Sequence, residues 1–148
     1  FNVTYLESTT TTAAAIDYAV LGAGFTTKFA KDWAFTGEYF QNSDVAGDPE
    51  AYLARISYKG ANKSVPQSWG LGLEYRDFET YSTPVAFTGS NFLLADKNEG
   101  VTGWGLLASY TLSKNIVLEG FQSFNSEFTS NGVDTDNERT RIQVNFFF

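Results

Sequence analysis

Ten ionisable side chains recur on alternate positions of short runs, set against apolar or aromatic residues: Lys28, Glu38, Arg55, Lys59, Glu74, Arg76, Glu119, Glu127, Arg139 and Arg141. Gathered on one face of an extended chain, such groups can set an electric field across a water path, or lock one another in a packed ionic network. Catalytic chemistry has less to work with. The 148 residues include no His and no Cys, which removes imidazole-dependent triads, Cys/His zinc sites, haem attachment and disulfides. No cleft is implied that would pair carboxylates for acid–base work, so no enzyme and no cofactor are expected. Asp134, Asp136 and Glu138 alternate as calcium ligands do, but the glycine and the twelve-residue frame of an EF-hand are missing. A solvated loop is expected there rather than a metal site, with divalent bridging to surface lipid as the other use of those carboxylates. Ten Lys and Arg against 17 Asp and Glu give a net charge of −7 and a pI near 4.4, which argues against nucleic acid as a partner.

The elements that must position these groups read as strands. Trp104, Leu106, Ala108, Tyr110 and Leu112 share one parity, with Gly103, Gly105, Ser109 and Thr111 on the other. The same alternation gives eight segments, at about 1–7, 17–29, 33–42, 51–59, 69–78, 102–112, 116–128 and 139–148. Scattered glycines, many β-branched and aromatic residues, and no sustained i, i+3, i+4 spacing disfavour helix. Pro49, Pro66 and Pro84 all fall between segments, as strand-rich chains require. No apolar run approaches the roughly 20 residues of a membrane-crossing helix. With no leader ahead of Phe1, a mature protein or a fragment is expected.

Connections alternate between short turns (30–32, 113–115, with a medium one at 60–68) and long loops, the longest about 79–101. Short turns at one end and long loops at the other describe an outer-membrane β-barrel, and an even strand count puts both termini at the short-turn, periplasmic end. Charge sorts the same way. The long loops hold Glu7, Asp44, Asp48, Glu50, Glu79, Asp96, Glu99, Asp134, Asp136 and Glu138 against Lys97, whereas the turns carry Lys31, Lys63 and Lys114 with Asp32. Three-residue turns would set Phe29 opposite Trp33, Thr27 opposite Phe35, Leu112 opposite Ile116 and Trp104 opposite Phe124. Hairpin counting places Glu127 opposite Arg139 and Asn125 opposite Arg141, with Arg55 diagonal to Glu74.

Aromatic rings sort by height. Trp33, Tyr58, Trp69, Tyr110 and Phe148 sit at the turn end of the apolar face and Trp104 at the loop end, with Tyr39, Tyr52, Tyr75 and Phe124. Two such belts suit the two membrane–water interfaces. Pattern alone leaves a soluble β-sandwich or lipocalin-like barrel open, with the apolar face inward and the charges outside. Gly22, Gly24, Gly70, Gly72, Gly103 and Gly105 on the charged parity would leave an interior open, or admit bulky Arg and Glu side chains. Val85, Ala86, Phe87, Phe92, Leu93 and Leu94 make the longest loop too apolar to stay freely solvated.

The final run, Arg139-Thr-Arg-Ile-Gln-Val-Asn-Phe-Phe-Phe148, resembles the C-terminal strand by which outer-membrane barrels are recognised for assembly. Gln67-Ser-Trp-Gly-Leu-Gly-Leu-Glu-Tyr-Arg76, Gly100-Val-Thr-Gly-Trp-Gly-Leu106 and Leu112-Ser-Lys-Asn-Ile-Val-Leu118 resemble the porin barrels of diderm Firmicutes, the OmpM type, over about residues 33–148. That resemblance implies a trimeric outer-membrane porin for small hydrophilic solutes, tethered to peptidoglycan by an S-layer-homology domain. It also implies the barrel-assembly machinery and outer-membrane lipid as partners, lipopolysaccharide included, with divalent cations between. Those porins resemble sixteen-stranded barrels. The expected fold is therefore all-β, one domain over 1–148. It is a transmembrane antiparallel barrel with eight strands in this chain, either closed on itself or the C-terminal half of a sixteen-stranded porin.

Overall fold

Alternating side chains and short polar turns fold the chain into eight antiparallel strands: β1 (Asn2–Ser8), β2 (Tyr18–Ala30), β3 (Trp33–Asn42), β4 (Glu50–Lys59), β5 (Trp69–Phe78), β6 (Val101–Ser113), β7 (Ile116–Phe128) and β8 (Thr140–Phe146). The computed structural model describes residues 2–8, 18–82, 100–129 and 138–148. The loop cluster from Val85 to Leu94, and Asp134 and Asp136, lie outside them. The strands form one sheet in sequence order, β1 to β8. No ladder joins β1 to β8 among the described residues, so the closed form expected as one alternative is not the one seen. The sheet is open, with β1 and β8 as its edges.

Each strand pairs antiparallel with its chain neighbour, and at β2–β3 and β6–β7 a two-residue turn leaves no other reach. Both tight turns are one residue shorter than the spacing suggested. Ala30 pairs with Trp33 and Ser113 with Ile116, leaving Lys31-Asp32 and Lys114-Asn115 as the turns. Asp32 and Asn115 adopt φ of 66°, a left-handed conformation that Asp and Asn tolerate better than most residues. Phe29 and Leu112 become the extra residues of bulges beside them, which restores the count. The pairs Thr27–Phe35, Gly24–Glu38, Tyr110–Leu118 and Trp104–Phe124 stand where turn counting put them.

The β7–β8 hairpin does not follow its expected register. Phe121 lies opposite Arg141 and Gln122 opposite Thr140, a slip of four residues that removes the Glu127–Arg139 and Asn125–Arg141 pairings. On β7, Asn125 at φ 51° marks a separate bulge against β6: three steps from Phe124 to Glu127 oppose two steps from Trp104 to Thr102. Glu138 fixes the entry of β8. It accepts from Ser123 Oγ at 2.9 Å, Ser126 Oγ at 3.2 Å and Ser126 N at 3.2 Å.

Curvature decides which face is interior. Arg55 of β4 and Arg141 of β8, four strands apart, line one cavity of about 330 Å³, so the sheet curls with its charged parity on the concave side. Glu74 is 0 % exposed, whereas Leu71 and Leu106 on the opposite face are 48 % and 49 % exposed. The soluble alternative required the reverse. Rings fill the space over two glycines of the concave face. A Cβ on Gly105 would stand 2.5 Å from the Phe121 ring, and one on Gly22 2.3 Å from the Phe40 ring. Gly105→Ala should therefore destabilise the fold by about 1–3 kcal/mol. Gly105→Ala combined with Phe121→Leu should recover part of that loss in the unfolding midpoint measured in detergent or lipid.

Candidate functional site

Concave-face residues from successive strands fall into level rows. One row runs Thr26, Thr36, Arg55, Glu74 and Gly105. Arg55 and Glu74 are directly opposite rather than diagonal, so a guanidinium meets a carboxylate at the closest spacing the ladder offers. Arg55 Nε donates to Glu74 Oε2 at 2.8 Å and its Nη2 donates to the same oxygen at 2.5 Å. Arg76, two residues along β5 on the same face, donates Nε to Glu74 Oε1 at 3.0 Å. One fully buried carboxylate thus holds two guanidinium groups. Glu38 and Leu53 share the next row with Arg76.

The rest of the concave face is graded. Above the ionic row, towards the long loops, Ala51, Leu53 and Phe78 form a buried apolar group with Phe40 against it. Asn42, fully buried beyond them, accepts from Ala19 N at 3.0 Å and donates to Tyr81 O at 2.9 Å. Below the ionic row, Glu119 Oε2 accepts from Gln143 Nε2 at 2.6 Å and Asn145 Nδ2 at 2.8 Å, clamping β7 to β8. The cavity between Arg55 and Arg141 lies on this lower side, with Ser57, Ser109 and Glu119 in its wall.

On the convex face the rings stand six positions apart on four consecutive strands: Trp33 and Tyr39, Tyr52 and Tyr58, Trp69 and Tyr75, Trp104 and Tyr110. At the turn end, Trp33 lies 4.8 Å from Tyr58 and Tyr58 5.6 Å from Trp69, centre to centre. At the loop end Tyr39 meets Tyr52 at 5.2 Å and Tyr75 meets Trp104 at 5.0 Å. Between these rows lie exposed Leu71, Leu73, Leu106 and Ile56. Charge inside, apolar surface outside and two rows of rings is the arrangement of a barrel wall whose solvent is lipid.

A family model described as "Putative porin" matches residues 3–146. The chain belongs to this porin family. No curated protein matches it significantly.

In this porin, several residues expected on one lining part company. Arg55, Glu74, Arg76, Glu38, Glu119, Arg139 and Arg141 occupy concave-face positions. Glu127 does not: the Asn125 bulge shifts its parity, and it pairs with Thr102 on the convex side at the loop end, exposed. Lys59 sits at the turn-end rim, its Nζ 4.7 Å from the Trp69 ring centre and 5.3 Å from that of Tyr58. Lys28 is exposed at the same rim. Trp33, Trp69, Trp104 and Tyr110 are exposed on the convex face and Tyr58 half-buried, but Phe148 lies past the end of β8, and it is Phe147 that docks, under Lys63 Nζ at 4.8 Å. The concave glycines divide: Gly70 and Gly72 line the cavity between Arg55 and Arg141, whereas rings cover Gly22 and Gly105. Leu107 packs on Gly72 and the backbone of Gly60 on Gly70.

Phe40, Phe78, Phe121 and Leu53 are the lining residues that alternation missed, since each occupies the charged parity. For two of them the signal was a glycine on the adjacent strand, Gly22 directly opposite Phe40 and Gly105 one pleat from Phe121, legible only once the register is known. Replacing Glu74 by Ala should cost about 3–5 kcal/mol, because it leaves two guanidinium groups without their shared carboxylate. Arg55→Ala should cost less, since Arg76 still meets Glu74; unfolding in lipid vesicles measures both.

Proposed function

We propose that this chain forms wall of an outer-membrane porin through which small hydrophilic solutes pass by diffusion along the charged concave face, without catalysis. The observation that carries the reading is the inverted solvation: the largest fully buried side chains are charged or polar, with Glu74 the largest, while Leu71, Leu106 and Ile142 are exposed. The family match supports porin-type function, and the graded lower half of the concave face supports a polar path lined by Arg55, Arg141 and Glu119. In this reading the turn-end rings lie at the periplasmic interface and the loop-end rings at the outer one. The phrasing of 67–76 and 100–118 supports kinship with the tethered trimeric porins of diderm Firmicutes. The final strand supports delivery to the barrel-assembly machinery. Loop carboxylates meeting lipopolysaccharide through divalent cations belong to the same proposal.

A second reading, a barrel that anchors without conducting, is favoured by one observation: Phe40, Ala51, Leu53 and Phe78 occupy the loop-side half of the concave face. Conductance across a planar bilayer, with assembly mass measured on the same sample, separates the two. Large steady steps whose ion preference shifts on Arg139→Ala or Arg141→Ala support the porin; inserted protein that leaves the membrane sealed supports the anchor. Independently of conduction, Leu71→Arg or Leu106→Arg should each lower stability in lipid by about 2–4 kcal/mol. A cost near zero would move the convex face out of the bilayer.

A further inference from the structure

We propose that the short-turn rim carries a binding site for the phosphate of a membrane phospholipid, held by Lys28 and Lys59 beside Trp33 and Trp69. The proposal rests on the membrane-wall part of the reading above, not on conduction. These four residues line a cavity of about 610 Å³ together with Gln67 and Ser68, a volume within the usual range of small-molecule sites. Backbone geometry builds it. Lys59, the last residue of β4, has a φ of 57°, and its N donates to Asp32 O at 2.6 Å, tying the end of β4 to the β2–β3 turn. Lys28 of β2 pairs with Ala34 and Ala34 with Ser57, two residues before Lys59, so the Lys28 row carries only short side chains on β3 and β4. Gly60 N donates to Trp69 O at 3.2 Å and fixes the second indole against the same opening.

The chemistry selects an anion at the edge of lipid. The Lys59 ammonium lies over the rings of Tyr58 and Trp69, which holds it at the convex, lipid-side margin. Ammonium groups donate charge-assisted bonds to phosphate oxygens, and indoles favour the headgroup level of a bilayer. Charge distribution points the same way in a chain whose net charge is −7. Lys28, Lys31, Lys59, Lys63 and Lys114 gather at the turn end, where Asp32, itself on the cavity rim, is the accompanying carboxylate. A soluble phosphate would need the lysines but not two indoles on the lipid-side face; a phospholipid engages both.

The test reconstitutes the full chain in vesicles of phosphatidylcholine containing a minor fraction of phosphatidylglycerol, and measures the lipid that stays with the extracted protein. Retained phosphatidylglycerol should be enriched about 30-fold over its bulk fraction, as two lysines at a membrane surface predict. Lys28→Gln with Lys59→Gln should abolish the enrichment, while Lys114→Gln, a turn lysine outside the cavity, should leave it. Equal loss in both variants would replace the site with diffuse rim charge and overturn the proposal, as would no enrichment in the parent. Displacement of the lipid by millimolar inorganic phosphate would make this a free-phosphate site and also overturn it. Failure to insert into any vesicle would sink the membrane reading first, and is separately visible by flotation.

Discussion

An ionised carboxylate with neither water nor lipid around it must be met by protein, and Glu74 is met by Arg55 from the facing strand and Arg76 from its own. Everything about the curl of the sheet is consistent with that need. A flat sheet would leave the three groups solvated on one side and the leucines of β5 and β6 on the other, with no reason to prefer either face. Curling brings the charged parity inward, where opposite charges satisfy one another. It also turns Leu71, Leu73 and Leu106 outward, which is favourable only where the outer solvent is hydrocarbon. The ionic row and the apolar convex face are therefore two aspects of one choice of solvent.

The aromatic rows give that solvent a thickness and the strands a tilt. Six residues of strand span about 20 Å, and this interval repeats on β3, β4, β5 and β6. Both rows drop by two residues between the β3–β4 pair and the β5–β6 pair: Trp33 lies level with Tyr58, and Trp69 with Tyr110, one pleat lower. Over the three steps from β3 to β6 this is about two-thirds of a residue per strand, or about 2.2 Å of descent for each 4.8 Å step across the sheet. The implied tilt is about 25°, in the sense that transmembrane barrels require. Two rows that step together at the same place mark two parallel planes, which a chance scatter of aromatics would not produce.

Strand positions and the identity of the two faces were legible in the sequence because side-chain period and burial period coincide wherever a ladder is regular. Irregular places were not. A left-handed Asn125 leaves no mark on a pattern of alternating residues, yet it moves Glu127 from one face to the other. The two tight turns carry compensating bulges, so an error of one residue at each turn cancelled along the strands. Phe40 and Phe121 lay on the charged parity and looked like exceptions. They are instead the complements of Gly22 and Gly105 on neighbouring strands, a relation between residues far apart in sequence. The membrane solvent itself could not be read from alternation, because a soluble barrel obeys the same period with its faces exchanged; only curvature distinguishes them.

Tilt also relates the two edges. β1 covers only the loop-side part of β2, from Tyr18 to Gly24, whereas β8 covers only the turn-side part of β7, from Ile116 to Gln122. Drawn perpendicular to the strands, the two edge strands stand at different levels and face nothing in common. Measured against the membrane planes that the ring rows define, the descent removes about half of that offset across the seven steps from β1 to β8. The two short edges are thereby brought closer in depth. Unpaired N–H and C=O groups in an apolar band would each cost several kcal/mol. Edge backbones that run antiparallel, because the strand number is even, can be satisfied by the same hydrogen-bonding ladder that joins every other pair of strands in the sheet.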